Sequence, residues 1–245
     1  MHLAAKADSV RPLFASKLPT AFMSPIVPME IRSSASRLRV VYFFAICATS
    51  RRLCSMSPRR FDAVPLIFLC LFQLHYFNRS FIYPMLLKGR SKMPLGIIVM
   101  GVVFNLLNAA MQGLWIFYLA PEGRYSIDWL TTPQFIIGVV AFFAGMVINM
   151  HSDHIIRHLR KPGDTGHYLP KGGMFRYVSS ANYFGEILEW TGFAILTWSA
   201  AGAVFAIWTF ANLVPRADAI YQRYAEMFGE EFRKAHLKRV IPFIY

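Results

Sequence analysis

The sequence predicts an all-α, multi-pass transmembrane helix bundle. Three observations carry that expectation. Of 245 residues, 56% are hydrophobic and only 16% charged, where a soluble domain carries about 25% charge. Five segments reach or approach the roughly 20 apolar residues that a helix needs to cross a bilayer. No strand alternation or internal repeat interrupts them, and no G-x-G-x-x-G fingerprint of a Rossmann domain occurs. A backbone in lipid must satisfy its own hydrogen bonds, so helices are the default.

The five clear spans are Ala63–Leu87, Pro94–Ala120, Phe135–Ile156, Ala181–Trp198 and Ala200–Val214, the last running on into Arg216–Phe228. Lys88, Arg90 and Lys92 follow the first span. Arg157, Arg160, Lys161, Lys171 and Arg176 follow the third, and Arg216, Arg223, Arg233, Lys234, Lys238 and Arg239 follow the fifth. With five spans these basic loops share one side, which the positive-inside rule makes cytosolic.

Residues 1–60 form a separate, atypical basic region. They hold ten of the 26 basic residues and two of the 13 acidic ones. Val40–Ala48 is apolar but too short to cross. The Arg- and Ser-rich composition suits a transit peptide, a disordered tail or an altered N-terminus. Residues 61–245 hold the five spans and form the transmembrane domain. The net charge of +13 therefore reads as membrane sidedness, and no nucleic-acid partner is expected. Cys47, Cys54 and Cys70 form neither a metal spacing nor an even disulfide set.

Charged groups near a bilayer centre cost about 2.5–3.5 kcal/mol on insertion scales, so those present point to function. The first span carries Gln73, His75, Tyr76, Asn78, Arg79 and Tyr83; His75, Arg79 and Tyr83 share a face through i,i+4 steps. Asn105, Asn108 and Gln112 lie in the second span, where interhelical glue competes with a functional role. Asn149 and Asp153 end the third. Asn182, Glu186 and Glu189 lie in the fourth. Arg79, Glu186 and Glu189 need partners or water. Together these groups suggest a polar cavity at the cytosolic end. His151, His154 and His158 share a helix face, but the remaining histidines are isolated, so no metal site is expected.

Residues 149–190 read NMHSDHIIRHLRKPGDTGHYLPKGGMFRYVSSANYFGEILEW. This stretch resembles the steroid 5-alpha-reductase family, the 3-oxo-5-alpha-steroid 4-dehydrogenases. The resemblance extends back through HYFNRSFIYP (75–84), KGR (88–90) and NAAMQG (108–113). It extends forward to Pro215-Arg216-Ala217, Tyr224 and the terminal IPFIY, covering about residues 61–245.

The resemblance implies a seven-helix membrane reductase that uses NADPH to saturate the carbon–carbon double bond of a 3-oxo-delta-4 steroid. It implies cofactor contacts from Tyr83, Arg90, Asn149, Asp153, Arg160, Asn182, Arg216 and Tyr224, with Glu186 in the pocket. Tyr76 matches the family tyrosine that polarises the ketone. Met29-Glu30 resembles the dipeptide whose glutamate pairs with that tyrosine, although it stands 46 residues before Tyr76, and Glu30 is named as its catalytic partner on that basis. Ile220-Tyr221 stands where the family often has His-His.

The alternatives are a trans-2-enoyl-CoA, sterol or polyprenol reductase of the same superfamily, a membrane methyltransferase using S-adenosylmethionine, and a non-catalytic relic lacking the N-terminal helices. The expected partners are a steroid or other lipid enone and membrane lipid. The chain is expected to be monomeric, in the endoplasmic reticulum membrane if eukaryotic and the inner membrane if bacterial.

Overall fold

The computed structural model describes residues 34–86, 95–160, 164 and 166–245. Among the described residues there are six helices: α1 (Ser34–Ser55), α2 (Ala63–Phe77), α3 (Leu95–Leu114), α4 (Pro133–His158), α5 (Ala181–Thr197) and α6 (Ala200–Lys234). Among the described residues there is no strand; Val178 and Lys238 form an isolated parallel bridge. α2 continues through a π-helical turn, Asn78–Ile82, and one α turn, Tyr83–Leu86. A second π turn, Trp115–Leu119, closes α3.

Local sequence explains the helix boundaries. Pro133 sits in the first turn of α4, where its missing N–H costs nothing, and the Thr132 hydroxyl caps Phe135 N at 3.3 Å. α5 stops at Trp198, which adopts the left-handed conformation at φ 45°. Ser199 then caps α6, its hydroxyl accepting from Gly202 N at 2.9 Å. Capping of this kind contributes about 1 kcal/mol.

The expectation of five clear spans is overturned. Among the described residues, two helices are long and apolar enough to cross a membrane, Val99–Leu119 and Pro133–His158. The Ala63–Leu87 window runs past a 15-residue α2 into the π turn carrying Arg79. α5 has 17 residues and includes Glu186 and Glu189. α6 is apolar only in its first half. Hydropathy counts apolar residues without distinguishing those that face lipid from those that pack against other helices. Val64, Phe68, Leu71 and Phe72 of α2 are core residues, packed with Phe142, Trp190, Phe193 and Phe205. The sidedness inferred from a five-span charge count loses its basis with that count. By contrast, Val103 and Leu107 of α3 and Ile137, Val140 and Val147 of α4 point outward, an apolar surface that suits lipid.

α1 belongs to this packing. The Phe43 ring meets Phe77 and Phe81 edge-on, and Tyr118 donates to Leu53 O at 2.9 Å. The Ser57 hydroxyl, just beyond α1, donates to Phe117 O at 2.7 Å.

Candidate active site

Backbone contact between α4 and α5 frames the site. The two helices run antiparallel. A Cβ on Gly145 would lie 2.3 Å from Glu189 N, and one on Gly185 would lie 2.5 Å from Asn149 N. Only glycine permits that approach. It brings the polar end of α4 against the polar face of α5, so that the Asn149 side-chain amide donates to Asn182 O at 2.8 Å.

Arg79 enters this junction from the π turn. Its guanidinium donates to Asp153 Oδ2 of α4 at 3.1 Å and forms a second ion pair with Glu186 of α5. Three helices thus meet at one cation. Two carboxylates neutralise the arginine and leave one net negative charge. The π turn widens the helix where Arg79 departs, a distortion found often at functional sites. Two arginines lie over the Tyr83 ring, Arg79 5.5 Å and Arg157 5.8 Å from its centroid.

Tyr76 stands one turn before Arg79, inside the aromatic core. It is 3% exposed and packs on Phe72 with ring centroids 4.8 Å apart. Its hydroxyl donates to Asn105 Oδ1 at 2.7 Å and accepts from Asn108 Nδ2 at 2.9 Å. Beside it, the buried His75 Nδ1 lies 2.9 Å from Glu189 Oε1, and the His75 ring meets Trp190 edge-on at 4.5 Å.

Of the residues expected in the site, the fold joins Asp153 and Glu186 through Arg79 and Asn149 with Asn182. Tyr183 of α5 lies near two others, Arg216 and Tyr224. Tyr224 also packs edge-on to Phe228 and Phe232. Arg160, at the bend after α4, is exposed, and its charge acts on Asp164. Glu30 and Arg90 lie outside the described residues.

Sequence reasoning placed Arg79 and Glu189 among the buried charges but did not find their partners. Asn105, Asn108 and Gln112 were equally readable as glue. Their spacing of i, i+3 and i+7 was the available signal, because it puts all three on one face of α3.

The loop from Asp164 to Ser180 is tied to the C-terminal segment. Ser179 N and Ser180 N donate to Lys238 O and Arg239 O at 2.8 and 3.1 Å. Lys171 pairs with Glu231 at 2.8 Å. Outside the two helices long and apolar enough to cross a membrane, the Asp164 carboxylate accepts from Gly166 N and the Tyr168 hydroxyl, each at 2.7 Å. These donors hold it below the usual carboxylate range.

A buried phenol that can donate to a carbonyl, next to a cluster of cations and carboxylates, suits a membrane-associated helical reductase. The 3-oxo-5-alpha-steroid 4-dehydrogenase family model matches residues 91–245. 3-Oxo-5-alpha-steroid 4-dehydrogenase 1 of Macaca fascicularis is 46% identical over 191 residues, 77% of this chain and 70% of the relative. The steroid 5-alpha-reductase DET2 of Solanum lycopersicum is 44% identical over 186 residues, 74% and 70% of the two chains. 3-Oxo-5-alpha-steroid 4-dehydrogenase 2 of Homo sapiens is 43% identical over 179 residues, 73% and 68%. The chain belongs to the 3-oxo-5-alpha-steroid 4-dehydrogenase family and is a membrane-associated oxidoreductase of the steroid-reductase type.

Proposed function

We propose that the chain transfers hydride from NADPH to the carbon–carbon double bond of a 3-oxo-delta-4 steroid, with Tyr76 polarising the ketone. The observation that carries this reading is the Tyr76 hydroxyl. It is buried, held between Asn105 and Asn108, and one turn from the Arg79 cluster.

The donor set suits a dinucleotide. Carboxylates accept from ribose hydroxyls, arginine forks bind phosphate, and tyrosine rings offer faces to planar groups. Tyr83, Asn149, Asp153, Arg160, Asn182, Glu186, Arg216 and Tyr224 would hold the cofactor, with Arg90 beyond the described residues. The bound cofactor supplies the hydride.

The chain's own residues supply position and charge stabilisation. Conjugate reduction moves negative charge onto the ketone oxygen as the beta carbon is attacked. A phenol with an ordinary pKa near 10 is protonated at neutral pH and donates. Aimed at that oxygen, it acts as an oxyanion-hole donor, stronger as charge grows than in the ground state. The aromatic wall of Phe72, Trp190 and Phe193 excludes water around it, which raises the value of that one hydrogen bond. An apolar enone dissolved in the bilayer suits such a site.

The test is turnover by the purified full chain in detergent with progesterone, a 3-oxo-delta-4 steroid. The expected result is one NADPH consumed for each steroid reduced at its ring double bond, with slower turnover on NADH. NADPH consumption no faster than in a steroid-free control would overturn the proposal.

A further inference from the structure

We infer that Gln112, Asn108 and Asn105 form a directional hydrogen-bond relay that sets where the Tyr76 proton points. Gln112 and Asn108 are then positioning residues for the reaction, and Asn105 is the resting acceptor that the ketone displaces. The inference rests on the catalytic reading of Tyr76 given above.

Two backbone carbonyls fix the direction. At one end, Asn105 Nδ2 donates to Gly101 O at 2.8 Å, so its carboxamide oxygen faces Tyr76. At the other end, Gln112 Nε2 donates to Ala201 O of α6 at 3.0 Å and to Asn108 Oδ1 at 3.2 Å. Both amide hydrogens of Gln112 are used. Asn108 Oδ1 is therefore an acceptor, and its NH2 group turns to the Tyr76 oxygen at 2.9 Å. Carbonyls cannot donate, so neither terminal amide can flip without losing a bond. Donation runs Gln112 to Asn108 to Tyr76 to Asn105 to Gly101.

The energetics favour a role beyond glue. Asn108 and Gln112 are each 2% exposed, and Gln112 Oε1 has no partner among the described residues. A polar network that leaves a buried acceptor unsatisfied is a poor way to join helices. Stability alone would favour apolar side chains here.

The relay gives Tyr76 a defined polarity. Its oxygen takes an N–H from Asn108 at 2.9 Å, and its hydrogen is donated to Asn105 Oδ1 at 2.7 Å. A ketone that displaces Asn105 as acceptor meets a hydrogen already aimed outward. As charge builds on the ketone, partial negative charge on the phenolic oxygen is steadied by Asn108. The proton remains on Tyr76 throughout, so no covalent bond to the relay forms or breaks.

Asn108→Asp keeps the shape but exchanges the N–H donor for an acceptor, which draws the Tyr76 hydrogen inward. The expected result is a kcat lower by about 10- to 100-fold, the range set by losing one hydrogen bond to a charged group. The steroid KM and NADPH binding should change little. In a Tyr76→Phe background, Asn108→Asp should cost nothing further. Asn105→Leu, which removes the competing acceptor, should lower the steroid KM while kcat is retained; this second variant decides if Asn108→Asp does not fold. Wild-type kcat in Asn108→Asp overturns the relay, as does a loss of equal size in the Tyr76→Phe background. An Asn105→Leu variant as slow as Tyr76→Phe also overturns it. The two readings fail separately: wild-type turnover by Tyr76→Phe removes the catalytic tyrosine itself, whereas a slow Tyr76→Phe with a normal Asn108→Asp removes only the relay.

Discussion

Arg79 and Asp153 stand 74 residues apart in sequence and 3.1 Å apart in the fold. Glu186 completes the cluster from a third helix. One guanidinium therefore bridges two carboxylates, of which Asp153 is almost fully buried. Replacing Arg79 by Met would leave both acids without their counter-charge. Breaking a buried pair from one side costs about 3–5 kcal/mol. Arg79→Met is expected to lower the melting temperature in detergent sharply, and more than the triple change that also replaces Asp153 by Asn and Glu186 by Gln. Equal melting temperatures would show that the cluster does not hold the helices together.

Tyr76→Phe should lower turnover while leaving NADPH binding intact. Removing one donor to a developing oxyanion costs about 2.7–4 kcal/mol, on the order of a hundred- to a thousandfold in rate. The ring contacts to Phe72 and Trp190 survive the change. Single-turnover kinetics beside a cofactor titration will separate the two effects. Near wild-type turnover removes the role assigned to the hydroxyl.

Gly145→Ala should destabilise the fold and loosen the site together. The added Cβ would meet Glu189 N at 2.3 Å, so α4 and α5 must move apart. Overpacking of this kind costs about 1–3 kcal/mol. Asn149 and Asp153, one and two turns further along α4, should lose register with Asn182 and Arg79. The expected readout is a lower melting temperature together with weaker NADPH binding. Gly123→Ala, at a loop position with no atom within 4 Å of the new Cβ but a φ of +72°, should leave NADPH binding unchanged.

The Asp164 turn should open in acid. Gly166 N and the Tyr168 hydroxyl favour the ionised carboxylate, with Arg160 assisting, so its folded pKa is depressed. Its contribution is complete above the ordinary value, about 3.9, and fades as pH falls through the lowered one. Hydrogen exchange of Gly166 N–H, corrected for intrinsic pH dependence, should therefore accelerate only on the acid side of that range. Asp164→Asn should remove the pH dependence. Unchanged protection in acid would contradict it.

Much of the helical layout was legible in the sequence. The apolar run 135–156 lies inside α4, the run 181–198 matches α5, and the uncharged break at Ser199 separates α5 from α6. Composition, apolar run length and caps are local properties, and a linear reading captures them. Membrane crossing was not legible in the same way, because apolar residues serve lipid contact and helix packing alike. α2 spends Phe68 and Phe72 on the core. The residue types around the candidate site were also readable, but their pairing was not. The i,i+4 rule placed His75, Arg79 and Tyr83 on one face. In the fold His75 turns to Glu189, Arg79 reaches across to Asp153 and Glu186, and Tyr83 lies beneath two arginines. The π turn after Phe77 and the glycine contact between α4 and α5 set those partnerships. Which carboxylate meets which cation depends on how closely two backbones approach, and that distance belongs to the pair of helices rather than to either sequence segment.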